Sequence, residues 1–252
     1  MSINKKYLKV LLFLLITLSC NMQHEKKEYY KNGKIKSVTR WRDNEQNGIS
    51  EFYYENGKIE DIAFYKNGKM AGVSKNFYKN GKIKLLGCYK NDRPNGNFYY
   101  YDTLGRKYLE KNYLTINGED YTNQFIFFNG NDTIKGNSNY FSLKSLKDTI
   151  TEGEEFNLKI KLEASLYKDK MAVIIGKFDS CFKLLDSISI DTLWANKNFE
   201  VNFITKNYIE GANSIRGIIF DIQEFSQRNG KSTSGKLHQL YFSKEFYIKK
   251  KE

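Results

Sequence analysis

Few side chains in this sequence could do covalent or acid–base chemistry. There are two histidines and three cysteines. A cysteine nucleophile needs a base within hydrogen-bond reach. Cys181 has only His238 to turn to, because His24 lies in a short polar stretch near the amino terminus. His238 has no nearby acid and sits beside an expected strand, which suits a surface or edge residue better than a general base. Gly230-Lys231-Ser232 looks like the end of a phosphate loop, but the glycine required upstream is Phe225 and no helical pattern follows. The stretch Asp43-Asn44-Glu45-Gln46-Asn47-Gly48 opens like a calcium loop, yet Tyr54 stands at its twelfth position, where a bidentate Glu is required. The remaining acids are scattered. No catalytic constellation, metal set or cofactor site is expected, and the reading is of a protein that is not an enzyme.

Cys20 is different. Lys5, Lys6 and Lys9 precede an apolar run from Val10 to Leu18, followed by Ser19-Cys20. That run falls well short of the roughly 20 residues a spanning helix needs and matches the charged and apolar regions of an export signal. Leu18-Ser19-Cys20 resembles a lipoprotein signal, with Thr17 where Leu is usual. The resemblance implies a signal peptide over 1–19 and a diacylated Cys20. A polar tether over 20–28 follows, and Asn21 is compatible with transfer to an outer membrane. The expected address is a membrane-anchored lipoprotein, periplasmic or surface-exposed.

What must position any site is a repeat. Over 29–107 a unit of 24 residues recurs in phase: Tyr30-Lys31-Asn32-Gly33-Lys34, Tyr54-Glu55-Asn56-Gly57-Lys58 and Tyr78-Lys79-Asn80-Gly81-Lys82, with a weaker copy ending Leu104-Gly105-Arg106. Wider turns alternate with these and end at Gly48, Gly72 and Gly96. Each unit holds two short strand-like runs. Asn56-Gly57 predicts a two-residue hairpin turn with both central residues at positive φ. Tyr54 would then face Ile59, and Tyr53 would face Glu60. A single unit buries too little to fold alone, so the units must stack.

This pattern resembles the bacterial MORN variant-2 repeat family, some of whose members carry an antitoxin label. Export as a lipoprotein would separate this chain from a cytosolic toxin. Leu104 in place of the turn Asn reads as a capping repeat, and Asp92 in place of Gly68 suggests a different turn conformation there. The resemblance implies a stacked β-hairpin sheet.

After Lys107 the phase is lost. Candidate strands are Tyr113–Ile116, Gln124–Phe128, Phe156–Leu162, Met171–Lys177, Phe199–Ile204, Ser214–Ile222 and Gln239–Ile248, separated by Gly- and Asn-rich turns. With no convincing helix, they suggest an antiparallel Ig-like β-sandwich over 108–252. The whole chain reads as all-β. Cys88 and Cys181, on different elements, are expected to be buried free thiols rather than a pair.

The net charge of +12 is concentrated in 20–107, which carries +8 against +1 for 108–252. The expected role is a lipid-anchored cell-envelope interaction or scaffold protein whose repeat surface binds a protein or glycan. The alternative is a binder of anionic membrane surface. Nucleic acid is disfavoured by compartment. The candidate binding face is the aromatic row Tyr29, Tyr53, Phe77 and Tyr101 beside Lys36 and Lys84, because aromatics kept on a wet, charged face suit recognition of peptide or sugar rings. The anchor can be tested alone. Cys20→Ala is expected to abolish acylation and move the protein out of the membrane fraction; a variant still found with membranes would mean either that the lipoprotein reading fails or that the repeats bind lipid independently.

Overall fold

The computed structural model describes residues 23–251, apart from 187–189, 207, 224–226, 229–230 and 233–234. The signal segment and Cys20 therefore lie outside the described residues. Those described are almost entirely strand, with no α-helix and one 3-10 turn at Lys135–Asn137. The first twelve strands are β1 (Gln23–Tyr29), β2 (Ile35–Arg42), β3 (Glu45–Gln46), β4 (Gly48–Tyr53), β5 (Ile59–Lys66), β6 (Lys69–Phe77), β7 (Ile83–Lys90), β8 (Arg93–Pro94), β9 (Gly96–Tyr101), β10 (Lys107–Ile116), β11 (Glu119–Asn129) and β12 (Asp132–Thr133). They form one antiparallel sheet in the order β1-β2-β4-β5-β6-β7-β9-β10-β11-β12, with β3 on β2 and β8 on β7. The chain divides into two compact units, Met1–Ile83 with Tyr89–Asp92, and Lys84–Cys88 with Arg93–Glu252.

In the first unit the described part of the expected tether, from Gln23 onward, is a strand. All of β1 pairs with β2, from Gln23 opposite Arg42 to Glu28 opposite Ser37. Its alternating charges leave it fully exposed at the sheet's edge, and polar, charged sequence of this kind suits an edge strand as well as it suits a linker.

The tight turns also differ from expectation. Tyr54 N–H donates to the Lys58 carbonyl and Gly57 N–H to the Tyr54 carbonyl, both at 2.8 Å, and the same pair of bonds closes 30–34 and 78–82. Only the glycine takes positive φ, +87° at Gly57. The asparagine instead lends its side chain: Asn56 Oδ1 accepts from Lys58 N–H at 3.0 Å, as Asn32 does for Lys34 and Asn80 for Lys82. This is a three-residue loop with a glycine bulge. The expected register holds through Phe52 opposite Asp61, then slips, so that Tyr53 faces Ile59 rather than Glu60. True two-residue turns with two left-handed residues occur at the wide turns, at Asp43-Asn44, Asn67-Gly68 and Asn91-Asp92. Asp92 therefore keeps the conformation of Gly68, at φ 66° against 73°. Its carboxylate accepts from Met70 N–H at 2.7 Å, while its own N–H donates to the Met70 carbonyl.

Successive repeats are tied by the turn tyrosine. Tyr30 donates its hydroxyl to the Tyr53 carbonyl at 2.5 Å, and Tyr54 donates to the Phe77 carbonyl at 2.6 Å. The buried residues of this unit are small: Ser50 and Ala63 are fully enclosed and paired, Ala63 pairs onward with Ser74, and Ser37, Val38 and Thr39 complete the set.

In the second unit the repeat positions of Ala63 and Ser74 are taken by Gly87 and Phe98. A Cβ on Gly87 would fall 2.3 Å from the Phe98 ring, so the large residue fills the space the glycine leaves. At the fourth tight turn Leu104 has no acceptor to offer, and Asp102 takes over: its Oδ1 accepts from Leu104 N–H and Arg106 N–H, both at 2.9 Å. The hairpin β10–β11, expected to open the sandwich, is instead bonded to β9.

The sandwich strands are β13 (Tyr140–Ser145), β14 (Thr149–Thr151), β15 (Phe156–Ala164), β16 (Lys170–Gly176), β17 (Ile190–Trp194), β18 (Glu200–Thr205), β19 (Gly211–Ile222), β20 (Gln227–Arg228), β21 (Lys231–Ser232) and β22 (Leu237–Lys249). Three of them form the sheet β13-β15-β18 and five form β14-β22-β19-β16-β17, with one departure from the antiparallel expectation: β14 runs parallel to β22. The alternation of β15 buries Phe156, Leu158, Ile160 and Leu162 against Val173, Ile215, Ile219, Leu240 and Phe246. Asn123 of β11 fastens to β22, donating to the Tyr241 carbonyl at 2.9 Å and accepting from Tyr241 N–H at 2.7 Å.

The tyrosine tie can be weighed. Tyr54→Phe removes one hydrogen bond and leaves a half-buried carbonyl unpaired, for an expected loss of about 1 kcal/mol. Tyr29→Phe, whose ring is 57% exposed, should change nothing measurable. Urea unfolding of both variants checks the difference.

Candidate functional site

The expected binding row falls in both units. In the first, Tyr29 closes β1 and is exposed, while Tyr53 and Phe77 end β4 and β6 half-buried, with Lys36 exposed on β2. Tyr53 stays on the charged side, donating its hydroxyl to Glu51 Oε2 at 3.0 Å. Burial first, and then the Glu51 carboxylate, raise its pKa above the ordinary phenol value. In the second unit Tyr101 is half-buried opposite Lys107 on β10, and Lys84 is exposed. The row is thus largely engaged in strand ends rather than displayed.

A more accessible set lies on the same outer side of the first unit, toward the wide turns. Ile49 and Phe64 face each other across β4 and β5, 46% and 40% exposed, and Val73 follows on β6 at 54%. Next to them an open groove of about 490 Å³ is lined by Glu25, Arg40, Arg42, Asn47, Gly48 and Phe64, among others. Arg40 donates to the Ile49 carbonyl at 2.8 Å and approaches Glu25 at 3.9 Å. Arg42 Nε is buried without an acceptor among the described residues. These residues escape a search for rows of one residue type, because the repeat positions read Arg40, Phe64, Cys88 and Ile49, Val73, Asn97. The usable signal was their common phase.

The opposite side of the same sheet holds a perturbed acid. Asn76 Nδ2 donates to Asp61 Oδ1 at 2.6 Å, yet burial, helped by the charge of Glu60, pushes the Asp61 pKa up to about 6, against the pull of Ser74 and Asn76.

In the second unit His238 is not without an acid, because it pairs directly across from Asp221. That carboxylate is wholly buried and already accepts from Asn139 Nδ2 at 2.9 Å, Ser165 Oγ at 2.6 Å and Leu166 N–H at 2.7 Å. Desolvation lowers the His238 pKa and the Asp221 charge only partly restores it. The group is a buried structural junction. Cys181 is exposed and Cys88 half-buried, so the expectation of buried thiols fails for Cys181; neither forms a disulfide. Lys231–Ser232 pairs with Gln227–Arg228 as a small hairpin, while Gly230 lies outside the described residues. Asp43 and Asn44 form the wide turn between β2 and β3. Among the described residues no group of three or more His, Cys, Asp or Glu could hold a metal, and no helix is long and apolar enough to cross a membrane.

Asp61 yields a signed expectation. Its folded pKa of about 6 lies above its ordinary 3.8, so folding favours the protonated acid. This group therefore opposes folding above about pH 6 and ceases to do so as pH falls toward 4. Asp61→Asn should raise the stability of the repeats at pH 7 and narrow its advantage over the parent toward pH 4, as urea unfolding across that range would show.

The family model described as MORN repeat variant matches residues 25–43, 46–67 and 70–91. Each match is one hairpin closed by the Tyr-x-Asn-Gly-Lys turn. The fourth copy, with Asp102 and Leu104, falls outside the matched spans. No curated protein matches the chain. MORN repeats suggest a repeat-based binding or scaffold role. Three MORN repeat variants thus stand in the first part of this chain.

Proposed function

We propose that the protein is a lipid-anchored cell-envelope interaction protein whose repeat surface binds a protein or a glycan, with the sandwich as spacer or second contact. The observation that carries this reading is the outer side of the first unit. It keeps Ile49, Phe64 and Val73 exposed beside two arginines, where a solvated surface has no need of a contiguous apolar set. The lysine and arginine excess of residues 20–107 favours a second reading, attachment to anionic headgroups. Salt separates the two, since a purely electrostatic attachment weakens steeply as ionic strength rises.

The test uses the full chain, anchored in its own envelope, with chemical capture of its neighbours. One variant carries Tyr53→Ser and Phe77→Ser, and a second carries Phe64→Ser and Lys66→Ala, Lys66 being the exposed cation that ends β5 two residues beyond Phe64. Loss of capture in either, at unchanged melting temperature, supports a repeat-borne site. Capture that survives in both overturns it. Binding to anionic vesicles that disappears at high salt, with no captured neighbour, selects the headgroup reading.

A further inference from the structure

The period of the repeat sets the geometry of what can lie along it. Residues 24 apart fall two strands apart, at about 9.5 Å for ordinary strand spacing. On the outer side of the first unit, near the wide turns, a cation recurs at that interval: Arg42, Lys66 and Lys90. Between these cations lie the apolar Ile49, Phe64 and Val73. Glycines keep the floor open, Gly48 against Arg40 Cβ and Gly72 against the Phe64 ring. Lys66 and Lys90 are exposed, and neither makes an ion pair among the described residues.

A ligand following this track crosses the strands. It cannot extend the sheet, because the backbone groups beneath it are spent in the ladders. Recognition must come from side chains alone. A β-strand ligand returns a side chain to the same face every 6.7 Å or so and would drift out of step with the cations. A polyproline II segment has three residues per turn and rises about 3.1 Å per residue, so every third side chain returns after about 9.3 Å. That matches the repeat. It also needs no backbone partner, and its rings suit an aromatic and aliphatic floor.

We infer that the outer side of the first unit is a docking track for an extended polyproline II peptide carrying an acid at every third residue. The acids meet Arg42, Lys66 and Lys90, and the intervening rings lie on Phe64, Ile49 and Val73. Arg42 is half-buried, so its exposed portion rather than the buried Nε is what the first acid meets. The protein's own acids on this side do not fill the track. Glu25 is shared between Lys27 at 3.2 Å and Arg40 at 3.9 Å and pairs with none of Arg42, Lys66 and Lys90 among the described residues, and Glu51 accepts from Tyr53. Glu60 sits toward the tight turns, and Glu45, across from Arg42, forms no ion pair with it among the described residues. This inference rests on the repeat surface being the contact surface.

The test measures binding of a labelled synthetic peptide of repeating Glu-Pro-Pro to the full chain by fluorescence anisotropy. Binding is expected to weaken with salt, and Phe64→Ser and Lys66→Ala are each expected to weaken it about fivefold or more, since both touch the ligand and neither is buried. A peptide of repeating Glu-Pro-Pro-Pro keeps the same helix but spaces its acids by about 12 Å, out of step, and should bind measurably worse. Equal binding of the two peptides, no binding of the first, or indifference to both substitutions overturns the inference. So does tighter binding of a uronic-acid polymer that the same substitutions remove, which would assign the track to acidic glycan. If no peptide binds while those substitutions still abolish capture in the envelope, the polyproline inference falls and the repeat-surface reading stands.

Discussion

The first unit depends on one hydrogen bond repeated in phase, from the hydroxyl of a turn tyrosine to the last strand carbonyl of the next hairpin. Tyr30 reaches Tyr53 and Tyr54 reaches Phe77. A lone two-stranded hairpin is marginal in water. The residues enclosed within this sheet, Ser50, Ala63 and Ser74, bring little apolar area to bury. Stability must therefore come from strand pairing and from what holds each hairpin to the next. The glycine-bulged turn is what brings the tyrosine ring to that position. The wide turns make a second line of ties on the opposite margin, where Gly68 N–H meets the Gln46 carbonyl and Asp92 N–H meets that of Met70.

The period carried most of the architecture to the reader of the sequence. Phase located every hairpin of the repeat, and alternation in Phe156–Leu162 located a core strand. Each of the seven strands expected after Lys107 has a counterpart. The longer strands that were missed, Tyr140–Ser145, Thr149–Thr151 and Ile190–Trp194, lie at sheet edges, as does the two-residue Asp132–Thr133; there one side has no neighbour and the pattern of burial is weak. Charged Gln23–Tyr29 escaped for the same reason.

Turn chemistry was less legible. Tyr54-Glu55-Asn56-Gly57-Lys58 and Tyr65-Lys66-Asn67-Gly68-Lys69 share the pattern Tyr-x-Asn-Gly-Lys, yet the first is a bulged three-residue loop and the second a two-residue turn. The local letters cannot separate them. What does is distant: one tyrosine must bond the next repeat, while the other stays within its strand. The same limit hid the accessible side. Arg40, Phe64 and Cys88 share a position without sharing a chemistry, and their exposure depends on which neighbours the sheet supplies. Asp221 was hidden in another way, because its partners Asn139, Ser165 and Leu166 come from segments far apart in the chain.

Both tyrosine ties span the same 23 residues, so a whole unit could be inserted or lost without re-pairing any strand, whereas a single-residue change within a unit would put every later tie out of register. The array is therefore quantised in length. Its reach across the strands changes only in steps of about 9.5 Å, two strand spacings at a time. Valency, rather than the detail of any one contact, is the property such an array can adjust most freely.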